Sequence, residues 1–262
     1  MSVQERHRRE RRARRQTILA AAARIFARRG LEQATIGMIA REAEVAVGTI
    51  YLYFSSRDDL FLTLRAERIQ HLNDRYREIQ ARGLAPLHEL REVVAAYFEY
   101  LSESRELFLT QQSVGYAQMR KRLKRRGEIE RFDTVMKLGR EGFDLWAKSV
   151  SRVCETGSIN DPQRCATVAA VMWAGLNGAF LLTGGDNVFR EVTGLSPDHF
   201  LEQALDFHLR AAHPSAFGVA APKPRNGAVG DSHGANGANS KGRAENNSKE
   251  KPGDLTAAMP LD

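Results

Sequence analysis

Apolar residues recur along most of this sequence at the three-to-four residue spacing of a helix face, and no stretch alternates convincingly as a half-buried strand does. That pattern confines the chain to an all-α fold. Residues 16–29, QTILAAAARIFARR, place Ile18, Ala22, Ile25 and Phe26 on one side, and Gly30 supplies a stop. Thr35 has the side chain of an N-cap and opens a second short helix with Ile36, Ile39, Ala40 and Ala43 as its stripe. Glu44 to Ala46 leave room for a tight turn before VGTIYLYF, in which Ile50 and Phe54 share one side and Tyr51 falls on another. Ser56, followed by Asp58 and Asp59, marks the start of a longer helix, because carboxylates suit the positive end of the helix dipole.

From Leu87 to about Arg210, helical segments alternate with turn signals at Gly157, Pro162, Gly184-Gly185 and Pro197, which reads as a larger helical bundle. Residues 214–262 are rich in Gly, Asn, Ser, Ala and Lys, and are expected to be a disordered tail, since they offer too little apolar surface to offset ordering. The formal charge of +7 favours an anionic partner. Arg6, Arg8, Arg9, Arg11, Arg12, Arg14 and Arg15 form a basic N-terminal segment without the apolar stretch of a secretory signal. The two cysteines, Cys154 and Cys165, sit outside any repeated C-x-x-C frame, as expected in a reducing, cytoplasmic setting. No run approaches the ~18 consecutive apolar residues of a membrane span.

Three short helices, the last two joined by a tight turn, have the layout of a helix-turn-helix, whose final helix enters the major groove of DNA. The segment Thr35 to Phe61, TIGMIAREAEVAVGTIYLYFSSRDDLF, resembles the TetR/AcrR family of bacterial transcriptional regulators. The matching positions are the leading Thr35, Ile39-Ala40, the small Ala43, Val45, Gly48-Thr49, the spaced aromatics Tyr51 and Tyr53, Phe54, and the acidic pair before Leu60-Phe61. The resemblance covers about residues 12–72. It implies a basic arm (1–11), a DNA-binding domain (12–72, reader segment 35–54) and a helical effector-binding and dimerisation domain (73–213).

By the same resemblance Thr35, Thr49 and Tyr53 contact phosphates, while Val47, Gly48 and Tyr51 lie nearest the base edges. Two positions depart from the family pattern. Glu44 stands where glycine is common, in a backbone expected to be left-handed, and Ala46 stands where Ser or Thr would cap the reading helix. The arginine-rich arm, read as flexible, is either a solvated terminus or a DNA contact, with Arg12 and Arg15 nearest the first helix.

The family's bundle usually encloses a small-molecule pocket and supplies the dimer contact. Tyr97, Phe98, Leu101, Phe108, Gln112, Tyr116, Met119, Phe132, Met136, Phe143 and Trp146 have helical spacing suited either to such a pocket or to ordinary core. The segment Arg164 to Leu182 is apolar nearly all round and carries Gly175 and Gly178, which suits either a two-fold helix-pair interface of a homodimer formed with residues 197–212 or a helix that fills the core of one subunit. The run RKRLKRR, Arg120 to Arg126, is either a solvated face or a site for an anionic effector such as an acyl-coenzyme A. No H-E-x-x-H, G-x-S-x-G or phosphate-loop pattern is present, so neither an enzyme, a metal site nor a cofactor is expected. The resulting expectation is a ligand-released repressor of a palindromic double-stranded DNA operator. The competing reading is a basic helical protein that binds DNA or a membrane surface without sequence preference.

Overall fold

A computed structural model describes residues 2–103, 105, 108–110, 114–157, 161–183 and 188–212, and among them every regular element is a helix. The elements are α1 (Val3–Gln33), α2 (Ile36–Glu42), α3 (Val47–Tyr51), α4 (Arg57–Ala81), α5 (Pro86–Ser102), α6 (Tyr116–Arg126), α7 (Ile129–Thr156), α8 (Pro162–Leu182), α9 (Val188–Thr193) and α10 (Pro197–Ala212). The tail expected over 214–262 and the Gly184-Gly185 turn lie outside the described residues.

The basic segment differs from the flexible arm expected of it, because α1 begins at Val3 and runs through all of the N-terminal arginines. Its start is fixed by a capping box: the Ser2 hydroxyl accepts from the Glu5 amide at 3.2 Å, and Glu5 accepts from the Ser2 amide at 2.7 Å. Arginine is a good helix former, and neither Gly nor Pro interrupts the run before Gly30. The segment lacks an apolar stripe, so periodicity alone gives no sign of helix there. Gly30 does leave helical geometry, with φ +68°, but a further turn follows and seats Leu31 in the core.

Two clusters of buried side chains organise the helices. The first joins Ile18, Ala22 and Phe26 of α1, Ile39 of α2, Ile50 of α3, Phe54, and Leu60 and Phe61 of α4, with the Phe26 and Phe61 rings edge to face at 5.6 Å. Met119 and Leu123 of α6 and Phe132 and Val135 of α7 complete it. The second gathers Tyr76, Leu90, Val94, Tyr97, Leu101, Trp146, Val150, Met172, Leu176 and Leu209. Trp146 satisfies its indole N–H by donating to the Ala169 carbonyl at 3.1 Å.

Helix α4 runs unbroken through both clusters, so the boundary expected at residue 72 falls inside a helix. It lies along α7, to which it is fastened by polar side chains reaching backbone: Asn73 Nδ2 donates to Leu138 O at 3.0 Å, and Gln80 Nε2 to Leu145 O at 2.8 Å. The buried Asn73 amide and the half-buried Gln80 amide fix the register of the two long helices, because a shift along the axis would take each donor from its carbonyl.

Helix α8 is apolar nearly all round, yet only part of it is covered. Cys165, Ala169, Met172, Leu176 and Phe180 are buried, whereas Val171, Trp173 and Leu182 are exposed, as is Phe207 on α10. Its length and mean hydropathy of 1.7 would allow a bilayer span, a property that counting consecutive apolar residues does not reveal. In this fold it forms a wall of the second core. Gly175 allows α10 to approach closely, since a Cβ there would stand 2.4 Å from His208 Nε2; Gly178 meets nothing within 4 Å.

Candidate functional site

The helix-turn-helix is built from local chemistry. Thr35 Oγ1 accepts from the Met38 amide at 3.2 Å and so caps α2, leaving its own hydroxyl proton free to donate outward. After Glu42 the chain reverses through Ala43 to Ala46, and the Val45 amide closes the turn on the Ala40 carbonyl at 3.0 Å. Glu44 adopts φ +54°, the left-handed conformation that glycine accepts more readily, and Ala46 provides no side-chain cap for α3. The reading helix therefore owes its position to tertiary packing: Ile50 and Phe54 are fully inserted in the first core.

Opposite that anchor the surface is open. Val47 is 45% and Tyr51 56% exposed, Gly48 is exposed, Thr49 is half-buried, and Thr35 is exposed at the adjacent start of α2. A Cβ at Gly48 would meet nothing inside the chain, so packing within the protein does not require glycine there. Tyr53 is half-buried against Phe54, and the Arg11 guanidinium lies over its ring at 5.7 Å. Arg12 is exposed on α1. Arg15 has internal partners instead: it pairs with Glu67 at 2.5 Å and lies over the Phe54 ring at 5.5 Å.

Sequence reasoning did not single out two arginines that hold the unit together. Arg57 donates to the carbonyls of Glu32 at 2.8 Å and Ala34 at 3.1 Å, which ties the start of α4 to the α1–α2 junction. Arg122 of α6 grips the buried Asp58 through two hydrogen bonds, Nε to Oδ2 at 2.7 Å and Nη2 to Oδ1 at 3.0 Å. The hydrogen bond to Asp58 holds the Arg122 guanidinium above its ordinary pKa, so Arg122 stays charged.

A cavity of about 280 Å³ opens among α4, α5, α7 and α8. Of the residues expected at an effector pocket, Tyr97, Phe108, Tyr116, Phe143 and Trp146 line it. Leu101 is buried in the second core with Phe98 packed against it, Met119 and Phe132 belong to the first core, and Met136 is exposed. Gln112 lies outside the described residues. Met119 and Phe132 are separated from the cavity because α6 and the start of α7 fold down onto the reading unit rather than into the bundle.

Besides the expected Tyr97 and Tyr116 hydroxyls, the cavity has polar groups from residues absent from that expectation, Arg65, Asn73 and Asn177 among them. Arg65 stands over the Tyr116 ring at 5.1 Å and donates to its hydroxyl, while Asn73 is fully buried with Oδ1 lacking a partner. Tyr97 donates to Asn177 Oδ1 at 2.8 Å. Burial pushes the Tyr76 and Tyr97 phenols above their ordinary pKa, so both remain neutral donors at pH 7. Among the described residues the cavity is thus an aromatic box with a single guanidinium and an unsatisfied amide oxygen. Among the described residues no group of three or more His, Cys, Asp or Glu side chains is arranged to hold a metal.

A capped helix, a four-residue turn and a short helix presenting an open face on a packed core form a helix-turn-helix that is continuous with the helical bundle through α4. Residues 18–64 match the family described as bacterial regulatory proteins, tetR family. The fatty acid metabolism regulator protein of Bacillus subtilis is 30% identical over 95 residues, 36% of this chain and 49% of that relative, so the match spans about half of the relative's length. The ketosteroid transcriptional regulator KstR2 of Mycobacterium tuberculosis has a similar fold, with TM-score 0.57, 22% identity, and 76% of this chain and 94% of that chain covered. The transcriptional regulator FadR from Bacillus subtilis, solved in complex with stearoyl-CoA, gives TM-score 0.56 at 18% identity, covering 74% of this chain and 97% of that chain. Residues 18–64 thus carry the DNA-binding segment of the tetR family of bacterial regulatory proteins, and the helical fold around them is similar to that of the solved regulators.

Proposed function

We propose that the chain is a dimeric, sequence-specific DNA-binding repressor whose hold on a palindromic operator is released by a small apolar or apolar-anionic molecule bound in the helical bundle. The observation that carries this reading is the open face of α3: Val47, Gly48 and Tyr51 stand at the surface of a helix that the core fixes through Ile50 and Phe54. A rigid helix with an uncovered face is what reading base edges in a major groove requires. In this reading Thr35, Thr49 and Tyr53 hold phosphates, Val47, Gly48 and Tyr51 face the bases, and Arg12 supplies further phosphate contact from α1. The internal partners of Arg15 make it a support for Phe54 more than a DNA ligand.

The aromatic cavity suits a ligand with a flat or extended apolar body and one anionic group opposite Arg65. The stearoyl-CoA bound by the Bacillus subtilis structure is consistent with that chemistry, and acyl thioesters are the first effectors to test. Helix α6 offers a mechanical link: its first residue, Tyr116, is held by Arg65 at the cavity, and Arg122 on the same helix grips Asp58 in the first turn of α4, beside the reading helix. A ligand that displaces Tyr116 acts on the reading unit only through its different affinity for the two arrangements. The exposed Val171, Trp173, Leu182 and Phe207 supply the apolar face for a two-fold interface.

Selection of bound sequences from a random duplex library at physiological salt tests the reading. A palindrome should be enriched, and Tyr51→Ala should weaken binding to it by about 1–3 kcal/mol per half-site while thermal stability is unchanged. Recovery of no motif by the folded protein refutes sequence-specific recognition and leaves nonspecific binding by a basic protein. With a palindrome in hand, titration of acyl thioesters should release the duplex; a duplex that none of them releases removes this class of effector.

A further inference from the structure

The basic run Arg120 to Arg126 forms the later part of α6, and the cavity residues do not include it. Met119 and Leu123 anchor the helix to the first core, and Arg122 is spent on Asp58. Arg120, Lys121, Lys124, Arg125 and Arg126 are exposed and form no ion pair among the described residues. Arg122 and Arg126, one turn apart, border an open groove of about 570 Å³ whose other walls include Thr35, Tyr51, Ser55 and Arg57. Of its two carboxylates, Asp58 is paired with Arg122, while Glu128 accepts from the neutral Ser56 hydroxyl at 3.4 Å and forms no ion pair with Arg126. Arg126 is a cation with no ion pair among the described residues, in the same groove as a hydroxyl and a phenol of the proposed reading face.

We propose that this groove seats a phosphate of the DNA backbone beside the operator strand met by Thr35 and Tyr51, with Arg126 as the phosphate-binding cation. The proposal rests on the DNA-binding reading above and extends the interface beyond the helix-turn-helix to α6. It explains why the basic run lies against the reading unit and not at the effector cavity. The competing account is that Lys124, Arg125 and Arg126 merely complement the negative end of the α6 dipole. The two accounts separate because consecutive helix residues are about 100° apart. Lys124 and Arg126 thus lie on nearly opposite flanks, although both belong to the last turn.

The test compares Arg126→Ala, Lys124→Ala and Tyr51→Ala on the selected operator and on a scrambled duplex of equal length, from 50 to 200 mM salt. Each phosphate contact contributes about 0.9 to the slope of log affinity against log salt, so a dimer losing one per protomer loses about 1.8. The wild-type advantage over Arg126→Ala should then shrink about twelvefold across that salt range. Arg126→Ala should weaken operator and scrambled duplex by the same factor, because a phosphate contact carries no sequence information, whereas Tyr51→Ala should narrow the ratio between them. Lys124→Ala should leave the slope near wild type. A slope for Arg126→Ala no different from that of Lys124→Ala overturns the proposal while Tyr51→Ala still upholds the DNA reading. Wild-type protein that does not distinguish the two duplexes overturns the underlying reading itself. Circular dichroism checks that the helices persist, which exposure of Arg126 and the left-handed Gly127 that follows it lead one to expect.

Discussion

Replacing Arg152 by Met should destabilise the bundle far more than the loss of a partly exposed side chain ordinarily does. Its partner Glu89 sits in the first turn of α5 with no exposed surface; Oε2 pairs with Arg152 and Oε1 accepts from Ser149 Oγ at 2.8 Å. Removing the guanidinium leaves a buried carboxylate with one neutral donor, a change that costs about 3–5 kcal/mol when both partners are enclosed. The Arg152 side chain is 35% exposed, so water can reach the vacated position and the lower end, about 3 kcal/mol, is the appropriate figure. For a chain of this size that lowers the melting temperature by about 6–12 °C. Glu89→Gln introduced into the Arg152→Met background removes the stranded charge and keeps an acceptor for Ser149, so the double variant should recover most of the loss. Urea denaturation followed by circular dichroism measures both, provided the transition stays two-state and its slope is constant. A single-variant cost below about 1 kcal/mol, or a double variant no more stable than the single, would show that the pair is not a buried charge in the sense used here.

Two further expectations follow from other parts of the bundle. Burial, reinforced by the neighbouring Cys165, pushes the Cys154 thiol up to about 12 from an ordinary 9.0, so at pH 8 its thiolate is about a thousandfold scarcer than in the unfolded chain. Alkylation of Cys154 should therefore be very slow in the native protein and rapid in urea; equal rates would show that α7 and α8 do not enclose it. The same shift makes the folded state hold its proton more tightly, so this group's contribution to stability is complete below pH 9 and declines as pH rises toward 12. Phe207→Glu places a charge on the exposed apolar face of α10, and sedimentation should report monomers with unchanged helicity; a persisting dimer would locate the interface elsewhere.

The reading unit was legible in the sequence because its signals are local, although its packing is not. The Thr35 cap, the left-handed Glu44 and the helical spacing of Ile39, Ile50 and Phe54 show within a few residues, while the core that receives those three side chains is assembled from distant helices. The continuity of α1 was not, since its first half is held by a cap and by backbone propensity and shows no apolar periodicity. The cavity was half legible. Aromatic residues at helical spacing identified Tyr97, Phe143 and Trp146, but spacing cannot say which of two cores a side chain joins, and so Met119 and Phe132 were grouped with them. Arg65 and Asn73 gave a fainter signal, as polar residues amid the apolar positions of α4, and their meaning depends on which helices come to face them.

The sharing of the first core by α6 and α7 bears on how such a regulator could be re-engineered. Cutting at residue 72 to graft a different reading module would sever α4 in mid-helix and present Met119, Leu123, Phe132 and Val135 to a surface not shaped for them. If α3 reads the operator as proposed, the transplantable element is a face and not a module: exchanging the exposed positions of α3 leaves the shared packing intact, and the lower bundle remains the same part in every variant.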